Sequence, residues 1–115
     1  MNLEAQLNQL EQDISANKRL IDLAKSLERL ESNRDFKKII NEGFMKDEAV
    51  RLVHLKADPA MQAEHKQVAI IKEIDAIGSL ASFLAVIRVQ GRNAERALAD
   101  DEATREEINK ELLNG

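Results

Sequence analysis

A chain of 115 residues with no Cys, Trp or Tyr, three Phe and one Pro excludes a disulfide scaffold, thiolate chemistry and a core built on large aromatic anchors. A third of the residues are charged and the net charge is −4, so no overall positive field draws the chain to nucleic acid or anionic lipid. What remains is one domain's length of aliphatic and charged residues, the composition of an all-α protein whose helices meet along extended seams. The expected fold is an elongated helical bundle or coiled coil: a coiled-coil-like helix over 1–31, a short helical hairpin over 33–57 and a long helix over 59–113.

The N-terminal stretch has no positive segment ahead of an apolar one, so no secretory signal is expected. Leu3, Leu7, Leu10, Ile14, Asn17, Ile21 and Ala24 recur at steps of four and three, one stripe of a helix about 40 Å long. Leu20, Leu23, Leu27 and Leu30 keep the same rhythm on an adjacent line, which predicts a sideways slide of the seam near Asn17. Asn17 itself stands where a seam residue is normally apolar, a substitution that costs stability and specifies register or oligomer state.

Glu31-Ser-Asn-Arg-Asp interrupts the rhythm, and Ser32 or Asn33 is placed to cap the next helix. Phe36, Ile39 and Ile40 predict a short amphipathic helix closed by Gly43 in the left-handed conformation. A second short helix over 46–57 carries Ala49, Val50, Val53 and Ala57 on one face, with Leu52 and Leu55 beside it. Asp58-Pro59 is the clearest boundary, with Asp58 as cap and Pro59 as the first residue of a new helix.

From Pro59 the helical pattern continues to Leu98, and it either runs on to Leu113 or breaks near Asp100; continuity is expected, since no residue after Gly91 interrupts it. Ile70, Ile74, Ile77, Ala81, Leu84, Ile87, Gly91, Ala94 and Leu98 form one stripe, while Leu80, Phe83, Val86 and Val89 add a second apolar face. A helix apolar on so many sides must be covered on several of them. The stretch 83–89 is the one left over for a second chain. The apolar run 77–87 is far shorter than the roughly 20 residues of a membrane span, so no membrane partner is expected. Gly78 and Gly91 each cost about 1 kcal/mol in a helix, and close approach of another helix, or a kink, is the expected compensation.

Few constellations point to chemistry. A helix-turn-helix reading of 35–55 puts Lys46-Asp47-Glu48 at the start of the reading helix, with carboxylates where phosphates would lie, so nucleic acid is not the expected partner. His54 and His65 lack the spacing that would bring both to one metal. Asp100, Asp101, Glu102, Glu106 and Glu107 read as a solvated acidic face with nothing to tune a catalytic pKa. Arg88, Arg92 and Arg96, at i, i+4 and i+8, either bind an anionic ligand or acidic partner, or pair with carboxylates of a neighbouring helix. No phosphate-cradling loop or nucleophile motif is present, so no enzyme and no cofactor are expected.

One further signal lies in the central block, residues 27 to about 98. Its segments Leu27-Glu-Arg-Leu, Arg-Asp-Phe-Lys-Lys-Ile-Ile-Asn-Glu-Gly-Phe, Lys-Asp-Glu-Ala-Val-Arg-Leu-Val, Ala-Asp-Pro-Ala-Met-Gln and Ile-Asp-Ala-Ile-Gly resemble small helical proteins encoded by tailed bacteriophages. That resemblance implies a virion or assembly component, or an accessory protein acting on host machinery, in the host cytoplasm or the particle; it transfers no site residue. The resulting expectation is a homo-oligomeric structural protein that self-associates through Leu3, Leu7, Leu10, Ile14, Asn17, Ile21, Phe83, Ile87 and Gly91. The alternative is a binding protein that uses Arg88, Arg92 and Arg96 on an anionic ligand or a host protein. A DNA-binding packaging or regulatory subunit is the third expectation, and the acidic balance weighs against it.

Overall fold

The computed structural model of the chain describes residues 2–115, and among them every regular element is helical. Helix α1 (Leu3–Glu31) starts at Asn2, whose side-chain oxygen accepts the Ala5 N–H at 2.7 Å and so satisfies one of the free amides of the first turn. Glu4 in the first turn and Arg29 in the last complement the helix dipole. Ser32 closes α1 by donating its hydroxyl to the Glu28 carbonyl at 2.9 Å, and Asn33 opens the next helix by accepting from the N–H groups of Asp35 and Phe36. The two capping candidates thus divide the work.

The middle of the chain departs from the hairpin expected over 33–57. Helix α2 (Arg34–Phe36) passes directly into a π-helix (Lys37–Glu48) and then into α3 (Ala49–Ala57), with no turn between them. Gly43 does not terminate a helix, and no glycine among the described residues has a positive φ. The reason lies in the spacing of the apolar residues. Phe36, Ile40, Phe44 and Ala49, all half-buried, follow one another at steps of four, four and five, longer than the 3.6-residue α period. The wider i→i+5 turn keeps them on one side and carries the chain through Gly43.

Asp58 is a cap, as its sequence context predicts: extended at ψ 126°, it accepts the Ala60 N–H at 2.8 Å, with Pro59 first in the turn that follows. That turn is only a 3₁₀ segment (Pro59–Met61), so the long helix begins later than Pro59. Helix α4 (Glu64–Asn114) then runs without a break through Gly91 and Asp100. Two glutamines tie the connection down. The Gln62 amide donates to the carbonyls of Lys56 and Asp58, and the Gln67 amide to those of Lys56 and Met61, so carbonyls left over at the end of α3 are satisfied by side chains.

The chain divides into two compact units, one of residues 1–27 with 87–115 and one of residues 28–86. In the first, α1 and the second half of α4 pair antiparallel over Ile14, Ile21, Leu27, Ile87, Ala94 and Ile108, all buried. In the second, α3 and the π-helix lie on the first half of α4, where Leu52, Ile70 and Ile77 form the core and Phe44, Ala49, Leu55, Met61 and Ile74 pack against it. Leu52 is fully enclosed. Each unit is therefore two helices thick, with one apolar seam. No helix among the described residues is long and apolar enough to cross a membrane.

Candidate functional site

In the first unit the N-terminal stripe is spent inside the chain. Ile14 and Ile21 are buried, and Leu3, Leu7, Leu10, Asn17 and Ala24 are half-buried, on the face that meets α4. Leu27 continues this line and is buried, whereas Leu23 and Leu30 stay about half exposed. The seam does not slide sideways at Asn17 as the leucine pattern suggests. Asn17 donates its side-chain amide to the Asp101 carboxylate at 3.2 Å, and Arg105 meets Glu11 at 3.4 Å one turn further on. Asp101, expected on a solvated acidic face or at a helix start, is instead the half-buried partner that specifies which residues of the two helices face each other.

Gly91 is where the helices come closest. A Cβ built there would lie 2.3 Å from the Ala24 Cβ, far inside contact distance, so only glycine admits α1 at this height. Ile87, one turn earlier, is buried. Of the nine residues expected to bind a second chain, eight are thus half or fully buried. The exception is Phe83, which is 63% exposed.

Arg88, Arg92 and Arg96 all stand on the exposed side of α4. Arg92 and Arg96 make no ion pair among the described residues; Glu11 of α1 pairs across the seam with Arg105. Among the described residues no group of three or more His, Asp or Glu is placed to hold a metal, and His54 and His65 are both exposed.

In the second unit the two helices present different flanks. Leu52 points into the seam, so its neighbours Arg51 and Val53 turn about 100° to either side of it. The Arg51 flank is charged. Arg51 forms an ion pair with Glu48, and the charge of Glu73 of α4 reaches the same guanidinium; the hydrogen bond and then the charge of Glu48 raise the Arg51 pKa, desolvation opposes them, and the charge of Glu73 adds least. The hydrogen bond from Arg51 holds the Glu48 carboxyl below its ordinary value, with desolvation opposing and the Arg51 charge assisting. A cleft of about 160 Å³ opens here, lined by Phe44, Glu48, Leu52, Glu73, Ala76 and Ile77.

The opposite flank is apolar. Gln67, Ile71, Ile74 and Gly78 recur at four, three and four residues along α4, and the bond from Gln67 to the Lys56 carbonyl sets this line beside α3. Val53 is 60% exposed, Val50 about half, and Val68 and Ile71 somewhat less. A Cβ added at Gly78 would meet nothing within 4 Å. On the outer face of α4 a shallow open depression runs past Gly78, Ser79 and Ser82 to Phe83 and Val86, the latter half exposed. Neither the Val50/Val53 with Val68/Ile71 group nor the charged Glu48–Arg51–Glu73 flank is among the sites expected from sequence. The i, i+3 valine spacing on α3 was legible, but which side of the helix it occupies depends on the partner helix.

No protein family, no curated protein and no solved structure matches this chain.

Proposed function

We propose that this chain is a non-enzymatic structural or assembly protein that works by helix–helix self-association, in the cytoplasm of a host cell or in the particle of a phage. One observation carries the reading: the second unit, only two helices thick, leaves Ile39, Val50, Val53, Val68, Ile71, Phe83 and Val86 with 43% or more of their surface in water. Single exposed apolar residues are ordinary, but several on both helices of one thin hairpin mark an interaction surface. Helices apolar on more than one side are stable when further helices cover them, and bundles are the usual solution. The resemblance of residues 27–98 to small phage-encoded helical proteins agrees with a virion or assembly role. Sedimentation velocity or light scattering tests the reading: an oligomer at micromolar concentration is expected, and a monomer at 100 µM and above would overturn it.

A second reading has its own observation. Arg92 and Arg96 are exposed and make no ion pair among the described residues, which leaves both guanidinium groups available to an acidic partner surface or a phosphate. Replacing Arg88, Arg92 and Arg96 with Gln should then abolish binding of inorganic phosphate or of an acidic protein while leaving helicity unchanged. Unchanged binding refutes this reading and leaves self-association standing.

A further inference from the structure

We propose that residues 37–48 are a π/α switch: the segment closes into an ordinary α-helix in a second state, which turns α3 about its axis and exchanges the side chains it buries on α4. The inference goes beyond the self-association reading and does not rest on it. Two apolar lines leave Phe36 along the same stretch of chain. One is Phe36, Ile40, Phe44, Ala49 and Leu52, whose last three members pack with Ile70, Ile74 and Ile77 of α4. The other is Phe36, Ile39, Gly43, Lys46, Val50, Val53 and Ala57, at unbroken steps of three and four, the period of an α-helical stripe.

The structure uses the first line and leaves the second in water. Ile39 is 64% exposed, Val53 60% and Val50 51%, and among the described residues these are the large apolar side chains that 34–57 leaves exposed; all lie on the second line. At about 100° per residue, an uninterrupted α-helix from Phe36 would keep Ile39, Gly43, Val50 and Ala57 within about 60° of it, with Val53 beside them, and would carry Leu52 about 160° round the axis to the opposite face. The wider i→i+5 turn is what brings Leu52 to the seam. Such turns mostly occur singly and often at functional positions, whereas here the π-helix is 12 residues long.

Gly43 stands where the two lines part. A Cβ there would lie 3.2 Å from the Lys38 carbonyl oxygen, five residues back, closer than such atoms ordinarily pack, so glycine eases the π turn. With Lys46 it is also the weak member of the α line. Two packings of one segment exchange when each buries a comparable apolar set on the same partner. One state buries Leu52 with Phe44 and Ala49; the other buries Ile39, Val50 and Val53 and turns Leu52 outward, so the hairpin changes the face it shows.

The chain has no cysteine, so one introduced thiol reads which way α3 is turned. Leu52→Cys and Val53→Cys are each placed in the native chain and in a chain carrying Gly43→Ala with Lys46→Leu, two changes that complete the α line; Lys46 is exposed in the present state. Labelling of each thiol is followed at about 1 µM and about 100 µM protein, because self-association obeys mass action and a rotation within one chain does not. Helicity is checked by circular dichroism, and a Leu52→Cys chain that loses it is replaced by Ala49→Cys, on the same side of the helix. In the native chain Val53→Cys should label on the order of a hundredfold faster than Leu52→Cys, and in the double variant the order should reverse at both concentrations. An unchanged order overturns the switch, as does fast labelling at both positions or a loss of helicity in the double variant, which mean that α3 has come off α4. Protection of Val53→Cys at the higher concentration alone overturns it too and is the mark of self-association.

Discussion

The contrast between Gly91 and Gly78 makes the sharpest test of the fold, because the same substitution on the same helix should act with opposite signs. In Gly91→Ala the new methyl would sit 2.3 Å from the Ala24 Cβ, while carbon atoms pack at about 3.5–4.0 Å, so α1 and α4 must separate by more than 1 Å at that height. Overpacking of this kind costs about 1–3 kcal/mol, and the gain in helix propensity returns about 1 kcal/mol. The expected net is a loss of about 1 kcal/mol, with the neighbouring contacts of Ile21, Ile87 and Ala94 loosened. In Gly78→Ala the methyl meets nothing within 4 Å, and dilute protein should gain about 1 kcal/mol. Thermal unfolding at submicromolar concentration, followed by circular dichroism, reads the pair. Midpoints should separate by about 8 °C, taking roughly 4 °C per kcal/mol for a domain of this size. Adding Ala24→Gly to Gly91→Ala removes the colliding methyl and should recover more stability than Ala24→Gly alone predicts. If Gly91→Ala stabilises as much as Gly78→Ala, the close approach of α1 to α4 is refuted.

The polar pair in the α1–α4 seam should behave as a register device: Asn17→Ala loses a hydrogen bond to a carboxylate and should cost about 1.5–3 kcal/mol in urea titrations, whereas Asn17→Leu with Asp101→Leu should be more stable than wild type. A double variant weaker than Asn17→Ala would contradict this. Gln67→Ala leaves the carbonyls of Lys56 and Met61 each one donor short; a loss of about 1 kcal/mol and faster amide exchange across residues 58–63 are expected, and unchanged exchange there would refute the role of the side chain. The Glu48 carboxyl is held below the ordinary 4.5 by the hydrogen bond from Arg51, so this pair contributes stability above that value and loses it as pH falls through the lower, folded pKa. Carbon NMR of the Glu48 carboxyl should titrate below 4.5 in wild type and return to it in Arg51→Gln; coincident curves would show that the ion pair does not persist in solution.

The long helices were legible because their information is local and repeated. Steps of four and three over many turns admit only one secondary structure, and Asn33 and Asp58 cap through atoms within three residues of themselves. The middle of the chain was harder. Gly43 reads as a helix end under the 3.6 period, and the steps of four, four and five from Phe36 to Ala49 carry meaning only once a wider turn is allowed. Side-chain tethers were less legible still: nothing local marks Gln62 and Gln67 as partners of carbonyls up to eleven residues away.

Sequence alone therefore determined that the chain is all-helical, where α1 stops and that Asp58-Pro59 interrupts the helices, while it began the last helix at Pro59 rather than Glu64 and left a kink at Gly91 or a break near Asp100 open. Those outcomes depend on backbone propensity, capping and periodicity, which act over a few residues. Tertiary structure decided how each apolar stripe was used. It committed the α1 stripe to α4, gave Asn17 its Asp101, filled the space at Gly91 and left the space at Gly78 open. The physical reason is that a stripe records only that a face must be covered, whereas the identity of its cover depends on which distant helix arrives there and on the one or two polar contacts that hold it in register.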